Sequence, residues 1–119
     1  MQLLYRLANT IIGRFLIRLV FSKMSFLIPA KRLRETETLL AFHHAKPSYP
    51  VHILLMPKSE IDSFQSLDAT NTAFMADLVS TTQSLVEEFG LAEKGYRLIV
   101  NGGEYQDFPH LHFHLNSNS

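Results

Sequence analysis

The sequence predicts an α+β domain: a mainly antiparallel sheet of about five strands with one long helix, plus a separate amphipathic helix at the N-terminus. Three observations carry this. Short apolar runs, bounded by proline, glycine or polar clusters, recur along the chain. One stretch, residues 68–90, has its apolar positions at helical spacing. The strand-like runs fall in groups on both sides of that helix instead of alternating with helices, which favours antiparallel pairing over a parallel sheet.

The elements follow in order. Residues 3–21 are apolar except for Arg6, Asn9, Thr10, Gly13, Arg14 and Arg18, and read as a helix edged with arginine. Residues 1–24 are therefore set apart as a basic amphipathic segment, and residues 25–116 as the domain proper. Residues 25–28 are short, apolar and stopped by Pro29, the start of a strand. Residues 38–43 form a second strand, and 45–50 a loop punctuated by Pro47 and Pro50. Residues 51–56 form a third strand, closed by Pro57. Ile61, Phe64 and Leu67 fall three apart and suggest a short helical turn. The long helix opens on Asp68 as N-cap and closes on Gly90. Its core face is Phe74, Met75, Leu78, Val79, Leu85, Val86 and Phe89, and Asn71, Asp77, Thr81, Ser84, Glu87 and Glu88 face outward. Residues 96–100 form a strand, Gly102 and Gly103 begin a turn-rich loop to Pro109, residues 110–115 form the last strand, and 116–119 a polar tail.

Composition narrows the function. At 119 residues, with 46% hydrophobic and 18% charged, the chain has the size and make-up of one folded domain and not of a disordered one. It has no cysteine, which excludes a disulfide scaffold, a zinc-thiolate site and a thiol nucleophile, and suits a reducing cytoplasm. The net charge of zero hides an asymmetry: residues 1–34 carry seven basic residues and no acid, so the remainder carries a net −7. A nucleic-acid binder shows its basic surface on the folded domain, so the acidic body argues against one. Arg14 and Arg18 argue against a spanning helix, since a central arginine costs about 2.5–3.5 kcal/mol on the insertion scale, and they break the apolar region a secretory signal needs. Three readings of residues 1–22 remain: packing on the domain or on a second copy, peripheral contact with an anionic membrane, and a cleaved or disordered leader.

The chemistry lies in residues 110–115. His110, His112 and His114 alternate, so in a strand they share one face while Leu111, Phe113 and Leu115 face the core. Three readings compete: a polar face without chemistry, a metal site with His52 as a further ligand from another strand, and nucleophilic catalysis at phosphorus.

Taken together, residues 50–58 (Pro-Val-His-Ile-Leu-Leu-Met-Pro-Lys), 100–103 (Val-Asn-Gly-Gly) and 110–115 (His-Leu-His-Phe-His-Leu) closely resemble the histidine triad (HIT) family, whose motif is His-φ-His-φ-His-φ-φ with φ apolar. The resemblance runs from about Phe26 to Leu115. It implies a small, commonly homodimeric α+β domain that binds a nucleotide or nucleotide conjugate. The implied activity is that of a nucleotide hydrolase or nucleotidyl transferase, with no metal and no cofactor. By the same resemblance His112 is the nucleophile that forms a nucleotidyl-histidine intermediate, and His114 contacts the phosphate. His110 and His52 complete the imidazole network, Asn101 reaches the phosphate region, and Phe42 walls the base pocket. Gln106 falls in the loop before the triad and joins the nucleotide-binding set.

Two positions depart from the family pattern. Where an acidic residue often holds the ribose hydroxyls, this chain has His44, which cannot make a bidentate carboxylate contact. Where many members carry a serine or threonine that helps the leaving group, it has Asp107, which repels an anionic leaving group. These two departures favour, as the alternative, a nucleotide-binding module without catalysis.

Overall fold

A computed structural model describes residues 31–119. The expected N-terminal helix and the strand at 25–28 lie outside the described residues. Within them the chain forms β1 (Arg32–Glu35), β2 (Leu39–His43), β3 (Val51–Pro57), α1 (Thr72–Glu88), α2 (Leu91–Lys94), β4 (Arg97–Val100), a 3-10 turn (Gly103–Tyr105) and β5 (Phe113–Ser117). The five strands form one sheet in the order β1-β2-β3-β5-β4, every neighbouring pair antiparallel.

Register assigns the two faces. Directly opposed residues of an antiparallel pair share a face. One row runs Ala41–Leu55–Phe113–Val100 and the next His43–Ile53–Leu115–Leu98. This face meets α1 through Phe74, Leu78, Leu85 and Val86, with Leu91 of α2, and forms the core. The other face carries Phe42–Leu54–His114–Ile99 in one row and His52–Asn116–Arg97 in the next.

The long helix departs from its expected details. Its N-cap is Asn71, whose Oδ1 accepts from the Phe74 N–H at 3.2 Å. Asp68 instead accepts from the N–H and hydroxyl of Thr70, closing a local turn one step earlier. The buried stripe is Phe74, Leu78, Thr81, Thr82, Leu85 and Val86. Thr81, expected outside, is buried because it lies one turn after Leu78, while Val79 falls off the stripe and is 56% exposed. Met75 is half-buried. Gly90 adopts φ +65°, the left-handed conformation that ends a helix, and α2 follows at once.

Side chains tie the helix to the sheet edge. Asp77 accepts from the hydroxyls of Thr36 and Thr38 at 2.9 and 2.7 Å, and those bonds hold its carboxyl below the usual range. Arg34 pairs with Glu88, and Lys58 with Glu35. β1 has no counterpart in the sequence reading: its Arg-Leu-Arg-Glu pattern is polar at alternate positions, as suits an outer strand guarded by charge. Residues 58–67 hold a turn and no helix, with Ser66 N–H donating to Ser63 O and Leu67 N–H to Phe64 O.

Candidate active site

β5 begins at Phe113, so only His114 of the three alternating histidines lies within a paired strand; His110 and His112 sit in the extended segment before it. That segment is held by Leu111, whose N–H donates to Ile61 O at 2.7 Å and whose side chain is 1% exposed. All three histidines are buried, as is His52 on β3.

Ring geometry joins them. The centroids of His112 and His114 are 5.1 Å apart, those of His114 and His52 5.2 Å, and those of His52 and His44 4.3 Å in a stack. His44, just beyond β2, is thus the outer end of a row of four imidazoles. Phe108 stands edge-on to His112 at 6.4 Å, and Tyr49 to His52 at 5.6 Å.

The backbone determines which nitrogens carry protons. The Ser48 N–H only donates, so His52 Nδ1 accepts it at 3.1 Å and the ring proton lies on Nε2. That N–H donates to His114 Nδ1 at 2.9 Å, which leaves His114 with a free Nε2–H donor. The His110 carbonyl only accepts, so His112 Nδ1–H donates to it at 2.7 Å, and in the neutral ring Nε2 is then the nitrogen with the lone pair. His110 Nε2–H donates to Pro57 O at 2.9 Å.

Burial favours the neutral form of His114, His110 and His52. His114 is lowered to about 4, first by loss of solvent and then by repulsion from His112 and His52. His110 is lowered by burial, partly offset by the Pro57 carbonyl, and His52 by burial and by His44. Facing them, Asp107 places Oδ1 3.3 Å from His112 Nε2, with its side chain 77% exposed.

Phe42 is half-buried in the row of His114, on the imidazole face. Asn101 follows β4, one residue past Val100, whose partner is Phe113. Gln106 does not turn to the imidazoles with its amide N–H groups: Nε2 donates to Asp62 O at 2.7 Å and Phe108 O at 2.8 Å, bracing the loop that carries Asp107. Gly103, at φ +58°, needs glycine for that conformation, whereas Gly102 is extended. His44 Nδ1 accepts from the Lys46 N–H at 2.9 Å, so its outward Nε2 is a donor where a carboxylate would accept. Among the described residues no three His, Asp or Glu side chains group as a metal-holding set.

Two features escaped the sequence reading. Ser48 acts through its backbone, and nothing in its side chain announces that. Asn116 and Ser117, read as tail, are paired and buried in β5. The signal for Asn116 was the motif itself, which asks for an apolar residue there.

Known proteins resemble this chain in sequence and fold. The HIT domain family model matches residues 25–118. An uncharacterized HIT-like protein of Azospirillum brasilense is 41% identical over 91 residues, covering 74% of this chain and 75% of its own. One from Helicobacter pylori is 37% identical over 90 residues, covering 74% and 84%. Among solved structures, a HIT family hydrolase of Legionella pneumophila is similar at TM-score 0.76 and 29% identity, over 85% of this chain and 92% of that one. A HIT family hydrolase of Clostridium thermocellum is similar at 0.75 and 30%, over 88% and 90%.

Proposed function

The chain belongs to the HIT domain family, in general nucleotide-binding hydrolases and transferases, and on that premise we propose that it cleaves or transfers a nucleotidyl group through His112. The observation that carries this reading is the 2.7 Å bond from His112 Nδ1–H to the His110 carbonyl, which makes Nε2 the lone-pair nitrogen of the neutral ring.

The steps follow from the proton positions. Nε2 attacks the α-phosphorus and an N–P bond forms. The bond from phosphorus to the leaving group breaks, and the leaving group departs with the electron pair and takes up a proton from solvent. Water then attacks the phosphoramidate and loses a proton to solvent, a P–O bond forms as the N–P bond breaks, and Nε2 regains its lone pair. His114 Nε2–H, held in that tautomer by Ser48 and His52, donates to a phosphoryl oxygen in both transition states. Phe42 and Asn101 flank base and phosphate. No cofactor enters.

The test is turnover of a panel of nucleoside phosphoramidates and dinucleoside polyphosphates by the chain and by His112→Ala. Turnover lost in the variant supports the reading; turnover unchanged refutes it. The Asp107 carboxylate beside Nε2 favours a second reading, nucleotide binding without catalysis. Calorimetric affinity with no product from any substrate establishes it.

The proposal extends to assembly and place. Val79 and Leu98 are exposed apolar residues at 56% and 41% and support a homodimer, which sedimentation velocity measures. The absence of cysteine supports a cytoplasmic setting. The arginine-edged residues 1–22 support peripheral contact with anionic membrane, which flotation with anionic and neutral vesicles tests. Among the described residues no helix is long and apolar enough to cross a membrane.

A further inference from the structure

Asp107 is an acid in contact with the nucleophilic ring. Its Oδ1 lies 3.3 Å from His112 Nε2, the nitrogen that attacks phosphorus. A lone pair facing a carboxylate oxygen at that distance is repelled, whereas one proton on either atom makes the contact attractive. The loop fixes the contact. Gln106 Nε2 donates to Asp62 O at 2.7 Å and to Phe108 O at 2.8 Å, and the His110 N–H donates to Phe108 O at 2.8 Å, so the chain is tied down on both sides of Asp107. Phe108 in turn stands edge-on to the His112 ring at 6.4 Å. The two partners differ in access: the His112 side chain is 6% exposed and that of Asp107 77%. The carboxylate therefore meets solvent on one side and the buried ring on the other.

We propose that Asp107 is a further catalytic residue, the acid–base group through which the protons of both chemical steps pass between solvent and the reacting atoms. This role rests on the assignment of His112 as the nucleophile. In the resting pair one proton, drawn from solvent, lies between Oδ1 and Nε2. When a nucleoside phosphoramidate binds, that proton moves onto the carboxyl and Nε2 has its lone pair. Nε2 attacks, its bond to phosphorus forms, and the bond from phosphorus to the amine breaks with the electron pair going to the amine nitrogen. Asp107 delivers its proton to that nitrogen, so the amine leaves neutral and Asp107 is again a carboxylate. Water then takes the place of the amine. Asp107 accepts one of its protons as the water oxygen bonds to phosphorus, and the bond to Nε2 breaks with its pair returning to the ring. The carboxyl shares that proton with Nε2 and exchanges it with solvent, which restores the resting pair. The leaving group sets the sign of the effect. An alkylamine needs the proton in order to depart, whereas p-nitrophenolate departs as an anion, needs none and is repelled by the carboxylate.

The test is steady-state and stopped-flow kinetics of the chain, Asp107→Asn and His112→Ala with the alkylphosphoramidate and the p-nitrophenyl ester of adenosine and guanosine monophosphate. Asparagine keeps the shape of the exposed side chain, so the fold is retained. For the phosphoramidate, Asp107→Asn is expected to lose about a hundredfold in kcat/KM, the usual scale of general acid–base catalysis. For the ester it keeps or raises kcat/KM, and it releases p-nitrophenolate in a burst stoichiometric with protein, because the attack is intact and the water lacks its base. An equal loss on both substrates, an unchanged kcat/KM for the phosphoramidate, or no burst overturns the role of Asp107 and leaves His112 in place. Turnover retained in His112→Ala, or none by the chain itself, instead removes the nucleophile and the role of Asp107 with it.

Discussion

Acidification is expected to destabilise this protein through its imidazoles before its carboxylates, and His114 indicates by how much. The His114 ring is lowered from 6.5 to about 4 in the folded chain. Below pH 6.5 the unfolded chain takes up a proton on this ring that the folded chain refuses until about pH 4. The unfolded state therefore binds more protons, and stability falls as pH falls across that window. At about 1.4 kcal/mol per pH unit the full displacement corresponds to about 3 kcal/mol, and solvent reaching the ligand side of the ring reduces this to about 2 kcal/mol. His110 and His52 are shifted in the same direction and steepen the slope. Glu35, Asp68 and Asp77 are lowered carboxylates, so their contribution is present above the unfolded carboxylate range and is lost only as pH falls below it. The interval from pH 6.5 to 4.5 therefore isolates the histidines. Urea unfolding at steps from pH 7.5 to 4.5 measures the slope, and His114→Gln, which cannot titrate, flattens it by nearly one proton. A midpoint independent of pH in this interval, or a variant with the full slope, refutes the lowered, neutral state of His114.

Further outcomes are expected. Asp107→Ser raises kcat/KM for substrates with anionic leaving groups by roughly fivefold, since an exposed charge about 4 Å away is worth about 1 kcal/mol in water-like surroundings, and steady-state kinetics at two salt concentrations reads it. Leu111→Ala empties a site 1% exposed between sheet and loop, and denaturant titration should show a loss of about 2–5 kcal/mol. Asn71→Ala removes the cap of α1 and lowers stability by about 1 kcal/mol, whereas Asp68→Ala, which caps only a turn, costs less; thermal unfolding separates them.

Some of this was legible in the chain and some was not, for physical reasons. The strands at 51–57 and 97–100 showed because their apolar residues outnumber the polar ones over a full strand length. β1 did not, because an outer strand with arginine at alternate positions resembles a solvated segment. Asp68 and Asn71 are both good caps three residues apart, and only the backbone path decides which one opens the helix. The grouping of His110, His112 and His114 followed from alternation alone. The link to His52 followed from resemblance, and its hydrogen bond to His114 needed the register of β3 on β5. The roles of Ser48 N–H and of the Pro57 and His110 carbonyls were invisible, since backbone donors and acceptors have no sequence signature. Asn116 was misread as tail because its polarity outweighed its place in the alternation.

The central claim is that His112 Nε2 is the atom that bonds to phosphorus. Rapid quench of the chain with a nucleoside phosphoramidate in alkaline denaturant, which preserves an N–P bond, followed by peptide mass spectrometry at neutral to alkaline pH, tests it most directly. The expected result is an acid-labile nucleotidyl group on the peptide bearing His112, localised to that ring and absent from His112→Ala. A nucleotidyl group on His110 or His114, or turnover with no adduct at any quench time, contradicts it.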